Sequence, residues 1–212
     1  MTEPTADLAT PILVPPERAG EAVAALCDAF HDYPVMTYIV GDAGPDYDRR
    51  LHTLIHFFVS NRVLRDEPIL GIEDGGRLVA IATLTPPGER AAPEPIHALR
   101  EGLWEALGAE AKARHEVLYE VWMRYTHPGL HYHLNMLGVR RSHAGRGLGG
   151  RLLKEVHAKS LADAESSGVT LSTEDPKNVP LYKHCGYEVV THNRVTDALE
   201  TWQFFRPNDT AR

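Results

Sequence analysis

Four glycines within six positions, Gly145-Arg146-Gly147-Leu148-Gly149-Gly150, carry the plainest chemistry in this sequence. They fall between a strand-like segment, His131 to Val139, and a helix read from Gly149 to Ser167. A helix N-terminus presents N–H groups without intrahelical partners and the positive end of the peptide dipoles. Glycines let a phosphate reach that backbone with no Cβ in the way. Arg140, Arg141 and Arg146 add positive charge to the segment. The pattern is not the dinucleotide fingerprint of an early βα turn, which expects an acidic residue ~20 positions on, and it lacks the Lys-Ser/Thr of a P-loop. A flexible turn needing glycine only for its φ angles is the alternative, so a second phosphate ligand is required to decide.

Histidines form the next group. Strict alternation along the strand puts His131, His133, Asn135 and Leu137 on one face, and Tyr132, Leu134 and Met136 on the other. An imidazole with a pKa near ~6.5 accepts protons at neutral pH, which makes His133 a candidate base or water-holder. With 12 histidines in the chain, an ordinary hydrogen-bonded histidine is the competing reading. His131 and His133 could also ligate a metal, with His127, His143, His184 or His192 as a third ligand. No Cys pair or H-E-x-x-H motif accompanies them, and the expectation is no metal. Glu120 is a rival base, but it lies opposite the Leu118, Val121 and Trp122 face of its helix and should be solvated. By residue type alone, Tyr182 reads as packing and Asn178 as a helix cap.

The elements that must position these residues read as follows. Glu17 to Phe30 and Asp46 to Arg65 are helices. Ile69 to Glu73 and Arg77 to Thr85 are strands joined by Asp74-Gly75-Gly76, a hairpin signal because glycine supplies positive φ. A proline-rich connection over residues 86–95 leads to a helical segment over 96–126, which Pro128-Gly129 stops. Two amphipathic helices lie in it, one marked by Ile96, Leu99, Leu103 and Leu107, the other by Leu118, Val121, Trp122 and Tyr125. The strand from His131 to Val139, the glycine turn, its helix and a strand from Val169 to Thr173 make a βαβ unit. A short helix, Val179 to His184, and strands Tyr187 to Asn193 and Leu199 to Arg206 complete a mixed α/β sheet of about seven strands. The whole chain, 1–212, is expected to be one domain.

A net charge of -7 argues against nucleic acid and suits a cationic or amine substrate. No apolar run approaches the ~20 residues of a membrane helix, and the N-terminus lacks the regions of a signal peptide. Cys27 and Cys185 alone make no disulfide framework. A cytoplasmic protein without a membrane partner is expected, and monomer and homodimer both stay open.

Leu137-Gly138-Val139, the turn Gly145-Arg146-Gly147-Leu148-Gly149, Asn178, and Leu181-Tyr182-Lys183-His184-Cys185-Gly186-Tyr187 together resemble the GNAT superfamily signature, most clearly over residues 131–206. The resemblance implies a mostly antiparallel sheet with a central splayed parallel pair, flanked by helices, and acetyl-CoA as co-substrate. It places the cofactor on Leu137, Gly138, Val139, Ala144, Gly145, Arg146, Gly147, Leu148, Gly149, Gly150, Asn178 and Tyr182. It makes Tyr182 the acid aimed at the CoA sulfur, and the Leu137 N–H the donor that polarises the acetyl carbonyl. Ala144 departs from the Arg or Gln usual there, and His143 or Arg146 could compensate. His133 to Val139 also resembles the arylalkylamine N-acetyltransferase strand: His133 matches the first of its two histidines and Asn135 replaces the second. The segment from Asn178 to Arg206 is loosely similar to the puromycin N-acetyltransferase branch, which implies a small-molecule primary amine attacking directly in a ternary complex. A non-catalytic acyl-CoA-binding or sensing module is the alternative. The segments that usually shape the acceptor pocket, Phe30 to Gly41 and Arg90 to Pro128, match no readable chemistry; Trp104, Trp122 and Tyr125 read either as apolar walls of it or, more commonly, as core.

Overall fold

A computed structural model describes residues 10–41, 44–88 and 91–208. Its strands are β1 (Ile12–Leu13), β2 (Ile69–Asp74), β3 (Arg77–Thr85), β4 (Tyr132–Val139), β5 (Gly168–Thr173), β6 (Glu188–Thr196) and β7 (Leu199–Pro207). They form one seven-stranded sheet in the order β1-β2-β3-β4-β5-β7-β6, and only the β4–β5 pair is parallel. The helices are α1 (Ala19–Ala29), α2 (Pro34–Val40), α3 (Tyr47–Leu64), α4 (Glu94–Leu107), α5 (Ala109–Trp122), α6 (Leu148–Ala162) and α7 (Val179–His184). Among the described residues, no helix is long and apolar enough to cross a membrane.

The β2–β3 hairpin closes as its glycines require. Asp74 pairs with Arg77 across Gly75 and Gly76, which take φ of 58° and 77°, the positive pair of a tight hairpin turn. Two apolar layers cover the sheet. On one face Leu148, Leu152, Leu153 and Val156 of α6 pack on Leu134, Leu137, Val139 and Leu171. On the other, α1 and α3 bury Ala22, Leu26, Leu51, Leu54 and Ile55 against Ile81 and Met136.

Strand β4 does not alternate strictly, which corrects the face assignment made from its sequence. Ala80, Ile81, Ala82 and Thr83 face Val139, Gly138, Leu137 and Met136, but Leu84 faces Leu134, so Asn135 is an extra residue. Such a bulge inverts side-chain parity. Tyr132 and Leu134 therefore share the α6 face with Leu137 and Val139, while Met136 joins the α1–α3 layer. His133 lies on the side of Met136, and Leu137 on the opposite one. The Asn135 amide pins the bulge: its Nδ2 donates to Thr85 Oγ1 at 3.1 Å and its Oδ1 accepts from Arg62 at 3.2 Å.

The bulge coincides with a parting of strands. Tyr132, His133 and Leu134 pair with Val169, Thr170 and Leu171, and there the β4–β5 ladder ends. On the other edge, Arg140 N–H bonds Val79 O at 2.8 Å. Antiparallel alternation from that bond turns the Gly138 backbone toward β3 and the Leu137 and Val139 N–H and C=O groups toward the open side.

Two elements were not expected. The two-residue β1 is too short for any periodicity to show, and α2 begins at Pro34 in a segment with no polar face to read. The 96–126 segment divides at Gly108, whose φ of 84° ends α4 and starts α5.

Candidate active site

The parted strands open on a cavity of about 420 Å³ at the centre of the molecule. Tyr33, Met36 and Ile39 from the α1–α2 connection and α2, Phe58 from α3, and Trp122 with Tyr125 from the end of α5 form its apolar side. Strand β4 contributes His133 and Leu137, and Glu174, Asn178 and Tyr182 come from the end of β5 and from α7. Trp122 and Tyr125 thus line the cavity, the first of the two readings open for them. Trp104 instead packs in the α1–α3 layer, with its ring 5.0 Å from that of His115.

Glu174 is the group that sequence reasoning missed. Its side chain is 5 % exposed, and its Oε1 accepts from Thr201 Oγ1 at 2.7 Å and Trp122 Nε1 at 3.1 Å. Its backbone N–H donates to the Tyr33 hydroxyl at 3.0 Å. Burial pushes the carboxyl up to about 7, and the donated bonds offset only part of that. Such a group is half ionised at neutral pH and can take a proton from an ammonium. A signal did exist: Glu174 follows the carboxyl end of β5, the side of an open α/β sheet where ligands sit.

Tyr182 lies on α7, 8 % exposed, between the rings of Tyr187 and Phe204 at 5.8 and 5.6 Å. Burial raises its pKa well beyond the usual phenol value, and the Glu174 carboxylate adds to the shift. It stays protonated, and no described residue hydrogen-bonds its hydroxyl, which lines the cavity. Asn178 does not cap α7. Its Nδ2 donates to Thr173 Oγ1 at 3.2 Å, which turns the amide to the cavity, while Asp175 caps the preceding turn by accepting from Lys177 N at 3.0 Å.

His133 is on the cavity wall with Nδ1 2.9 Å from Thr170 Oγ1. Burial first, then His131 and Arg62, lower its pKa to about 4, so the imidazole is neutral and a weak base. Burial lowers His131 also, and its Nδ1 donates to Gly129 O at 2.6 Å. Among the described residues no group of three His, Cys, Asp or Glu side chains is disposed to hold a metal ion. Glu120 is exposed on α5.

At the other end of β4 stands the glycine turn. Gly147 caps α6 with φ 75° and no side-chain bond, Gly145 has φ 76°, and the first helical bond is Arg151 N to Gly147 O at 3.1 Å. The N–H groups of Leu148, Gly149 and Gly150 are therefore without helical partners, as an anion site requires. A Cβ at Gly145, Gly147 or Gly150 would meet nothing within 4 Å, so that backbone is open to a ligand. Leu148 reaches it only through its N–H, since its side chain is core. Ala144 is exposed beside the turn. His143 and Arg146 both face Asp74 Oδ2, at 3.1 and 3.6 Å, so the charges that could compensate for Ala144 are shared with that carboxylate. Gly138 is placed differently. A Cβ on it would fall 2.8 Å from Ala29 Cβ and 3.0 Å from Leu26 Cδ2, so this glycine lets α1 approach the sheet.

An unpartnered helix terminus follows one end of β4, while Leu137 on its open edge, the buried carboxyl and the tyrosine line one cavity. The acetyltransferase (GNAT) domain model matches residues 65–189, more than half of the chain. The chain belongs to the GNAT acetyltransferase family. Solved structures agree in fold. A Corynebacterium glutamicum protein described as histone acetyltransferase HPA2 and related acetyltransferase superposes with a TM-score of 0.72 at 18% identity, over 97% of this chain and 99% of that one. The ribosomal-protein-S18-alanine N-acetyltransferase of Escherichia coli gives 0.57 at 13% identity, over 96% of both chains. Naa20 of Chaetomium thermophilum, solved with a bisubstrate analogue, gives 0.52 at 16% identity, over 96% of this chain and 90% of that one. As a GNAT N-acetyltransferase, the protein belongs to a family that generally uses acetyl-CoA and acts on amines. The free N–H groups of α6 suit a pyrophosphate, and the open edge at Leu137 and Val139 suits the amides of a pantetheine arm.

Proposed function

We propose that this enzyme transfers the acetyl group of acetyl-CoA to a primary amine of a small molecule, by direct attack in a ternary complex, with Glu174 as base and Tyr182 as acid. The observation that carries the reading is a buried carboxyl with a pKa raised to about 7 in the same cavity as an unpartnered tyrosine hydroxyl, at the mouth of the parted strands. Acetyl-CoA, when bound, supplies the thioester carbonyl and the thiol leaving group. Leu148, Gly149, Gly150 and the Ala144–Gly147 turn hold its phosphates, with Asn178 beside the arm.

Glu174 takes the proton from the ammonium and frees the nitrogen lone pair to form the C–N bond. The Leu137 N–H, turned away from β3, donates to the carbonyl oxygen as negative charge develops there; a preorganised donor of this kind contributes roughly 3 kcal/mol. As the C–S bond breaks, Tyr182 gives its phenolic hydrogen to the sulfur. The second nitrogen proton, lost as the amide forms, replaces it on Tyr182, and the proton held by Glu174 passes to solvent, which closes the balance with an amide, a thiol and one released proton as products. Glu174 is favoured over His133 because a base works best with a pKa near the working pH. A neutral His133 with a pKa of about 4 is suited to orienting the amine or a water.

Replacing Glu174 by Gln or Tyr182 by Phe is expected to lower kcat by about 10²-fold each while CoA affinity is retained. Initial rates of CoA thiol release and CoA titrations on both variants test this. Parental turnover in Glu174→Gln would remove that residue from the mechanism. A parent that binds acetyl-CoA yet acetylates no amine would leave the binding-module reading instead.

A further inference from the structure

The polarity of the cavity narrows the acceptor. Among the described residues lining it, Glu174 is the only carboxylate, so the negative charge available to hold a cation is at most one. The only Arg or Lys in the lining is Arg62, and it is already neutralised: its guanidinium lies 2.7 Å from Glu67 Oε2, with side-chain exposures of 14% and 2%, and it also donates to Thr85 and Asn135. His133 and His131 have lowered pKa values and stand as neutral rings. The apolar part of the acceptor side is Met36, Ile39, Phe58, Trp122 and Tyr125, continued to the rim by the exposed Tyr119 and Met123, and Thr126, His127 and Gln203 also line it.

We infer that the acceptor is an apolar monoamine, an arylalkyl or alkyl chain ending in one primary ammonium that meets Glu174, and not a polyamine, an amino acid or a lysine side chain of a protein. The inference rests on the acetyltransferase reading above. A second ammonium on a short chain would be buried against Phe58, Trp122 and Met36 with no counter-charge, a cost well above one decade in binding. A carboxylate on the acceptor meets Arg62 only by competing for it with the buried Glu67. An alkyl or aryl tail pays neither penalty and gains from each methylene it buries. The overall charge of -7 does not enter, because it lies outside this cavity.

The test is a panel of acceptors on the intact enzyme at saturating acetyl-CoA: phenethylamine, hexylamine, cadaverine, lysine and a lysine-containing peptide. Release of CoA thiol gives kcat/KM for each, and thermal shifts of the CoA-loaded protein give a readout independent of turnover. Hexylamine and phenethylamine are expected to exceed cadaverine by about 10²-fold in kcat/KM and to give the larger shift. Equal or higher values for cadaverine, lysine or the peptide would overturn the acceptor class and leave the acetyltransferase intact. Absence of thiol release with all five, in a protein that CoA still stabilises, would overturn the class together with the reading beneath it.

Discussion

Glu174 shows why a buried carboxyl can be invisible in sequence and plain in structure. Nothing in Thr173-Glu174-Asp175 marks one acid from the other, since which is buried depends on Trp122 and Thr201 arriving from distant parts of the chain. The position of Tyr182 on α7 was legible because its motif is local. The environment of Glu174 also has a thermodynamic signature. Its pKa rises from 4.5 to about 7 on folding, so between those values the native protein keeps a proton that the unfolded chain releases. Stability from this group is fully present below 4.5 and is lost as pH rises to about 7. Glu174→Gln retains an acceptor for Trp122 and Thr201 and carries no charge. Melting curves should show the variant matching its parent in acid and exceeding it above neutral pH; a variant less stable than the parent at alkaline pH would contradict the buried charge.

At the level of elements, local signals were read well and non-local ones were not. The glycine hairpin, the short α7 and the strand–turn–helix around Gly147 each depend on residues adjacent in sequence, and they stand where expected. The bulge at Asn135 depends on Thr85 and Arg62, some fifty and seventy residues away, and so strict alternation assigned His133 and Leu137 to one face. The same applies to Gly138, whose lack of a Cβ serves α1. The turn itself is testable. A Cβ at Gly147 meets nothing within 4 Å, so Gly147→Asp has space to fold despite its φ of 75°, while its carboxylate repels a phosphate at the α6 terminus. CoA at ~100 times its Kd should stabilise the parent by roughly 3 kcal/mol and the variant not at all. An undiminished thermal shift in the variant would move the phosphate site elsewhere.

For the whole molecule, the sheet carries both regions that the proposed reaction uses. The α6 terminus and the open edge of β4 lie on one side of the strand parting, and α2, α5 and the ends of β5 and β7 enclose the other. Net charge, the broadest sequence property, suggested a cationic substrate but says nothing of a cavity with a single carboxylate. The proposed reaction stands or falls on whether this carboxylate accepts the substrate proton. The most direct measurement is the pH dependence of kcat/KM for hexylamine acetylation at saturating acetyl-CoA, in the parent and in Glu174→Gln. The parent is expected to show an ascending limb with a midpoint at about 7, and the variant to lack it. A parent profile that shows no such limb and follows only the ionisation of the amine near ~10 would contradict it.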